Sequence, residues 1–76
     1  MKKLDSKEVD VLVGKNLKRL RDELGKSQQD IGDIIELSNQ QMSKFESGKN
    51  GFNVNQLFII AQECDVDMNY FFQHDN

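Results

Sequence analysis

Four predicted helix starts carry a capping box, in which a Ser, Asp or Asn ahead of an apolar helical stretch is followed three positions later by Glu, Asp or Gln. The four pairs are Asp5–Glu8, Ser27–Asp30, Ser38–Gln41 and Asn53–Gln56. A fifth cap, Asp67, precedes a last short helix. Five helix starts within 76 residues leave only short connections. The sequence therefore predicts a compact bundle of five helices.

The apolar residues have the spacing of helices that each bury one face. The first helix carries a stripe formed by Val9, Val13, Leu17, Leu20 and Leu24. Core candidates in the later helices are Ile31, Ile34, Ile35, Met42, Phe45, Val54, Leu57, Phe58, Ile60, Ala61, Cys64 and Phe71. No stretch of five or more residues alternates strictly with strand composition, so the predicted fold class is all-α.

Size and composition predict a single domain, with a folded core over about residues 5–72 and a frayed polar tail over 73–76. The single cysteine, Cys64, rules out an internal disulfide and favours a reducing compartment. No apolar run approaches the ~20 residues of a membrane span. The first ten residues are too charged for a signal peptide. We therefore expect a cytoplasmic protein without a membrane partner.

The net charge of −3 is unevenly distributed along the chain. Residues 1–26 carry eight Lys or Arg and five Asp or Glu, whereas residues 51–76 carry four acidic residues and no Lys or Arg. If the protein binds nucleic acid, the acidic last third should face away from it and the first helix should lie near it. The lysines of that helix would then either steer DNA or have no specific role.

The third predicted helix has an outward row of amide, hydroxyl and ammonium groups, formed by Asn39, Gln40, Ser43 and Lys44. These groups suit the base edges in a DNA major groove. From the spacing alone, a solvated polar face with no ligand is the favoured interpretation. Gln41 is assigned to the cap of Ser38 rather than to base reading.

The chain offers no arrangement of residues for catalysis or for metal binding. Its one histidine, His74, lies in the polar tail, so no Ser/His/Asp or Cys/His set is available. No glycine-rich phosphate loop is present. We therefore expect neither enzymatic activity nor a cofactor or metal ion.

The segment SQQDIGDIIELSNQQMSKFESGKN resembles the helix-turn-helix of the Cro/cI-like (XRE) repressors. The resemblance rests on Ser27-Gln28, Ile31 and Ile35, Ser38, Met42, and the closing run Phe45-Glu46-Ser47-Gly48. It extends over about residues 9–72, because VGKNLKRLRDELG and NVNQLFIIAQECDVDMNYFF resemble the family's flanking helices. It implies a lambda-repressor-like fold of five helices, in which helices two and three form the DNA-binding motif.

The resemblance also implies roles for individual residues. Gln28 would hold a phosphate and support the recognition helix, while Asn39 and Gln40 would read bases. Ser43 and Lys44 would reach bases or phosphates, and the loop residues Lys49 and Asn50 would contact phosphate. Arg21 and Glu46 would form an ion pair between the first and third helices. Two departures stand out: Glu36 and Asp65 occupy positions where glycine is usual, so both should adopt a left-handed or bridging conformation.

Three consecutive aromatic residues, Tyr70, Phe71 and Phe72, end the last helix. Phe71 is the core candidate, and exposure of Tyr70 or Phe72 would mark a dimer interface, helped by the fourth helix. Alternatively, both side chains simply cover the end of the first helix.

Together, these observations predict a transcriptional regulator that binds a palindromic operator as a homodimer, with repression as the expected effect on transcription.

An alternative function is a protein-interaction module of the same fold, such as an antitoxin or adaptor that binds a protein partner. The acidic last third and the exposed aromatic residues motivate it. The short chain also predicts no separate ligand-sensing domain, so regulation would come from concentration, dimerisation or a protein partner.

Overall fold

The computed structural model describes residues 3–74, which form four α-helices and a final 3-10 helix. The elements are α1 (Ser6–Leu24), α2 (Gln28–Ile34), α3 (Asn39–Glu46), α4 (Val54–Cys64) and the 3-10 helix (Met68–Phe72). No strand occurs in this part of the chain, so the predicted all-α class is confirmed. The one difference in architecture is the last element, which is a 3-10 helix instead of an α-helix.

All four predicted capping boxes form, and they fix where the α-helices begin. At α3, for example, the Gln41 amide N–H donates to Ser38 Oγ at 3.2 Å, and the Ser38 amide N–H donates to Gln41 Oε1 at 2.9 Å. The assignment of Gln41 to the cap is therefore confirmed. The Asp67 side chain instead accepts from the amide of Asn69, two residues on, at 2.8 Å. This tighter cap precedes the 3-10 turn.

Two non-glycine residues adopt the left-handed conformation that the sequence predicted for them. Glu36 has φ 59° in the connection between α2 and α3, and Asp65 has φ 56° as the C-cap of α4. Each costs on the order of 1 kcal/mol relative to glycine. The Asp65 amide N–H donates to the carbonyls of the preceding turn, which offsets part of this cost.

The core lies between α1 and the four shorter elements. It comprises Val13, Leu17, Leu20, Ile31, Met42, Leu57, Ile60, Ala61, Cys64 and Phe71. Burial raises the pKa of the Cys64 thiol, in line with the core position predicted for it. Within residues 3–74, no helix combines the length and the apolar character needed to cross a membrane.

Three apolar residues predicted to be in the core are exposed, and four others are only partly buried, namely Val9, Ile34, Ile35 and Phe45. Leu24 is 44% exposed at the end of α1, and on α4 Val54 is 72% and Phe58 51% exposed. On α4, Phe58 is turned away from the buried face formed by Leu57, Ile60, Ala61 and Cys64, whereas Val54 points in nearly the same direction as Ala61 and is exposed because it is the first residue of the helix. Phe45 is only partly buried; its ring stacks on Phe52, with 4.3 Å between the ring centroids.

One buried polar side chain, Asn16, ties the C-terminal segment to α1. Asn16 is fully buried, and its Nδ2 donates to the carbonyls of Phe71 at 2.8 Å and Gln73 at 2.9 Å. The carbonyl of Gln73, the first residue of the predicted tail, is thus hydrogen-bonded to α1, and fraying of the tail stays a prediction. Exposed His74 ends the described part of the predicted tail, and residues 75 and 76 lie outside it.

Two glycines allow backbone segments to approach closely. A Cβ added at Gly32 would lie 2.5 Å from the Leu37 carbonyl oxygen, so the predicted close approach at this residue is confirmed. A Cβ added at Gly14 would lie 2.7 Å from the Glu46 carbonyl oxygen and closer still to that of Phe45. Because Gly14 is inside α1, it lets this helix rest directly on the C-terminal end of α3.

Gly14→Ala should therefore destabilise the fold by about 3 kcal/mol, because backbone atoms have to move to admit the methyl group. Urea denaturation followed by far-UV circular dichroism measures this change. Lys18→Ala, at an exposed position of the same helix, is the matched control and should change the stability by less than about 0.5 kcal/mol. Equal stability of the two variants would contradict the close contact between α1 and α3.

Candidate nucleic-acid interface

The α3 helix separates an anchored face from an exposed polar face. Met42 is fully buried in the core and fixes the helix from behind. On the other side lie exposed side chains that carry amide, hydroxyl and ammonium groups, namely Asn39, Gln40, Ser43 and Lys44. The α2–α3 turn sets the position of α3, since the Leu37 amide N–H donates to the Gly32 carbonyl at 2.8 Å.

The C-terminal end of α3 is held by an ion pair with α1. Arg21 Nε lies 2.6 Å from Glu46 Oε2, and Arg21 Nη2 lies 2.8 Å from Glu46 Oε1. Both side chains are largely buried, with 11% and 6% of their surface exposed. The hydrogen bond to Glu46 raises the pKa of the Arg21 guanidinium. The arginine thus stays charged, and its two parallel bonds fix the orientation of Glu46.

Gln28, the first residue of α2, extends this contact to the exposed face of α3. Its Nε2 donates to Glu46 Oε1 at 3.2 Å, and its Oε1 accepts from Ser43 Oγ at 3.1 Å. Arg21, Glu46, Gln28 and Ser43 therefore form one continuous chain of hydrogen bonds, which we call the recognition-helix network. It joins three helices and ends at a side chain of the polar face.

The loop after α3 folds back onto the end of that helix. The amides of Lys49 and Asn50 both donate to the Lys44 carbonyl, at 2.9 and 3.4 Å. Their backbone N–H groups are thus occupied, so only the exposed side chains of Lys49 and Asn50 remain for a ligand. Gly48 has φ 81° and packs against Val11 of α1, which fixes the start of the loop.

With this geometry established, the chain can be compared with known proteins. Residues 17–71 match the family model described as helix-turn-helix. The chain belongs to the Cro/cI-like (XRE) helix-turn-helix family. The matched range covers α2 and α3 and most of the bundle around them, and it includes all four residues of the recognition-helix network.

Two curated relatives of this helix-turn-helix chain are named as transcriptional regulators. An uncharacterised HTH-type transcriptional regulator of Rickettsia conorii is 34% identical over 65 residues, which are 86% of this chain and 52% of that protein. An uncharacterised transcriptional regulator in the ATPase CF(0) region of Rhodospirillum rubrum is 34% identical over 64 residues, 84% of this chain and 59% of that protein. The chain spans about half the length of the curated relatives it matches.

A solved structure has the same fold at low sequence identity. The restriction-modification controller protein C.AhdI from Aeromonas hydrophila matches with a TM-score of 0.73 and 22% identity. The match covers 83% of this chain and 96% of that chain. At this identity the similarity extends to the fold alone, and the all-helical bundle predicted from the sequence is confirmed.

The structure places the predicted DNA-contacting residues of this helix-turn-helix in one connected region. Gln28 is hydrogen-bonded to α3 through Ser43, and the loop of Lys49 and Asn50 is bonded to the Lys44 carbonyl. Asn39 and Gln40 are exposed on the first turn of α3. The region therefore extends from the start of α2, along α3, to the loop beyond it.

The two aromatic residues predicted at a dimer interface have different environments. Tyr70 is partly buried, and its hydroxyl donates to the Glu23 carboxylate on α1. Burial, together with this hydrogen bond, raises the pKa of Tyr70 to about 12. Tyr70 thus covers the end of α1, as the alternative reading proposed. Phe72 is 42% exposed.

An exposed apolar surface lies on α4, the helix that was predicted to help form the dimer interface. Val54, Phe58 and Ile59 are all exposed there, and Asn55 and Gln62 between them are uncharged. The signal was present in the sequence, because α4 has more apolar residues than one buried face can hold. Among residues 3–74, no group of three or more His, Cys, Asp or Glu side chains could hold a metal ion.

Arg21→Ala should destabilise the fold by about 3 kcal/mol, because it leaves the largely buried Glu46 carboxylate without its cation. Arg21→Lys keeps the charge but loses the two parallel hydrogen bonds, so it should destabilise the fold less than Arg21→Ala does. Thermal and urea unfolding measure the stability of the three proteins, which should decrease from the wild type to the Lys variant and further to the Ala variant. If the Ala variant were as stable as the wild type, the ion pair would contribute nothing to the position of α3.

Proposed function

We propose that this helix-turn-helix protein is a sequence-specific regulator of transcription that binds double-stranded DNA with α3 in the major groove. The observation that carries this proposal is the exposed polar row of α3, which is held rigidly from behind by Met42 and by the recognition-helix network. A helix that reads base edges needs both properties, because an imprecise donor or acceptor distinguishes bases poorly.

Within this proposal, the individual residues divide the work between bases and phosphates. Asn39 and Gln40 read base edges from the first turn of α3, and Ser43 and Lys44 lie one turn further on. Gln28 binds a phosphate at the start of α2, as do the side chains of Lys49 and Asn50 in the loop. No step requires catalysis or a cofactor, which agrees with relatives named as transcriptional regulators.

The charge distribution supports this orientation. Lys44 and Lys49 are exposed at the end of α3 and in its loop, whereas α4 and the residues after it contain no Lys or Arg. Lys44 and Lys49 are thus available to a DNA duplex that approaches α3, although residues 27–50 together carry two Lys and four Asp or Glu, and the acidic end of the chain lies on other elements. Binding to bacterial DNA would place the protein in the cytoplasm, and occupation of an operator is sufficient for repression.

The direct test is selection of bound sequences from a random DNA pool, followed by gel-shift titration of the selected site. A recurring palindrome is the expected result, and its spacing reports the distance between two recognition helices. If no sequence were enriched at moderate salt, the proposed function would be wrong.

Two substitutions separate base reading from phosphate binding. Gln40→Ala should weaken binding to the selected site by about 1–3 kcal/mol and relax the preference at one base position. Lys49→Ala should weaken binding to all sequences about equally and lower the slope of log K against log salt by roughly one. Titrations at several salt concentrations, with selected and scrambled DNA, measure both effects. A sequence-selective effect of Lys49→Ala would contradict its assignment to phosphate.

The proposed homodimer draws support from α4 in addition to the last helix. The exposed side chains of Val54, Phe58 and Ile59 form an uncharged surface, and Phe72 is also exposed. Apolar clusters of this kind on small proteins commonly mark interfaces. We therefore extend the proposed interface from Tyr70 and Phe72 to this face of α4.

Phe58→Asp should convert the dimer to a monomer, because it places a charge in the apolar contact, and should leave the fold intact because the side chain is exposed. Sedimentation velocity measures the oligomeric state and circular dichroism checks the fold. Gln62→Asp is the control for the added charge and should disturb the dimer less. A dimeric Phe58→Asp protein would place the interface elsewhere.

The same α4 surface favours one alternative, a protein-interaction module such as an antitoxin or adaptor that binds a protein partner. The two functions differ in a simple experiment. A module of this kind would enrich no DNA sequence from the random pool, and its wild-type chain would be monomeric alone and bind its partner through α4. Regulation of a DNA-binding form by concentration, dimerisation or a partner stays a prediction.

A further inference from the structure

The recognition-helix network has a fixed direction of hydrogen bonding, which begins at its buried end. A guanidinium can only donate hydrogen bonds, and an ionised carboxylate can only accept them. Arg21 donates to both oxygens of Glu46, at 2.6 and 2.8 Å. Every further group that contacts Glu46 must therefore also be a donor.

This requirement sets the orientation of the Gln28 amide. Gln28 can offer only its NH₂ group to Glu46 Oε1, and the observed distance from Nε2 is 3.2 Å. The amide oxygen then necessarily points away from Glu46. It lies 3.1 Å from Ser43 Oγ, where it can only accept. The ion pair thus determines the orientation of the Gln28 amide, and this orientation makes Gln28 a hydrogen-bond acceptor toward Ser43 on the exposed face of α3.

The consequence falls on Ser43, which has a single hydroxyl hydrogen. That hydrogen is donated to Gln28, so the exposed Ser43 oxygen has only lone pairs left for a ligand. Reversing this bond would leave the Gln28 oxygen without a donor at a surface that DNA would dry, which is unfavourable. In a complex with DNA, Ser43 therefore acts as an acceptor.

Few groups on DNA can donate to such an acceptor. Phosphate oxygens, guanine O6 and N7, thymine O4 and adenine N7 are all acceptors themselves. In the major groove only the N6 amino group of adenine and the N4 amino group of cytosine donate. We infer that Ser43 accepts a hydrogen bond from the amino group of an adenine or a cytosine, and that it donates no hydrogen bond to phosphate, guanine or thymine. This inference rests on the proposed function, since it needs α3 in the major groove.

Selection from a random pool with four proteins tests the inference. The base pair that Ser43 reads is the one whose preference disappears in Ser43→Ala, and because every base pair presents one adenine or cytosine amino group in the major groove, removal of that amino group decides whether Ser43 accepts from it. Gln28→Leu removes the acceptor, which frees the Ser43 hydroxyl to donate. The Ser43 hydroxyl can then donate to the acceptors of any base pair, so the preference at that position should relax, and deletion of the amino group there should no longer weaken binding. Gln29→Leu removes an exposed amide at the neighbouring residue and should leave this position unchanged.

A second measurement probes the amino group itself in the wild-type protein. Purine in place of the selected adenine, or 2-pyrimidinone in place of the selected cytosine, deletes that amino group alone. The dissociation constant should rise about 3- to 10-fold, as expected for one hydrogen bond. Ser43→Ala should show no further loss on the modified site, because the bond is already absent.

The possible outcomes separate this inference from the proposed function. If the wild type enriches no sequence, the proposed function fails and the inference fails with it. If the wild type enriches a site but deletion of the amino group at the position lost in Ser43→Ala leaves the dissociation constant unchanged, the inference alone is wrong. It is equally wrong if Ser43→Ala changes no position, or if Gln28→Leu leaves the preference at that position unaltered. Melting curves of each variant confirm that the fold is retained.

Discussion

The ion pair between Arg21 and Glu46 is the contact on which the geometry of the recognition region depends. It is mostly removed from water, and its two parallel bonds fix both side chains. A charge pair in this position is costly to desolvate, so its value lies less in stability than in defining one arrangement of α1 and α3. Gln28 transmits that arrangement to the surface, because it contacts Glu46 with one end of its amide and Ser43 with the other.

The α1 helix supplies a different kind of contact to each neighbouring element. Gly14 admits the carbonyl groups at the end of α3, Asn16 binds the backbone of the C-terminal segment, and Arg21 holds Glu46. These contacts follow one another along a helix of 19 residues. A single long helix thus serves as the frame for the recognition helix and for the last segment, which explains how so small a core can position both.

Much of the fold could be predicted because its signals are local. A capping box involves residues three positions apart, and each of the four formed as the sequence indicated. The left-handed conformation of Glu36 and Asp65 was also foreseeable, since the family pattern has glycine there. The polar row on α3 could also be predicted, because the helical spacing of the sequence places its polar side chains on one side of the helix. Apolar spacing was less reliable on α4, where Phe58 fits a helical stripe but lies outside the buried face.

The sequence by itself determined where the helices begin, which side of α3 is polar, and to which family the chain belongs. Only the tertiary structure decided that Asn16 is a core residue, that α4 presents an apolar surface, and that the Ser43 hydroxyl is already occupied. The physical reason is distance along the chain: Ser43 and Gln28 are 15 residues apart, Arg21 and Glu46 are 25, and Asn16 and Phe71 are 55. Such contacts have no local pattern, and they exist only once the helices have packed.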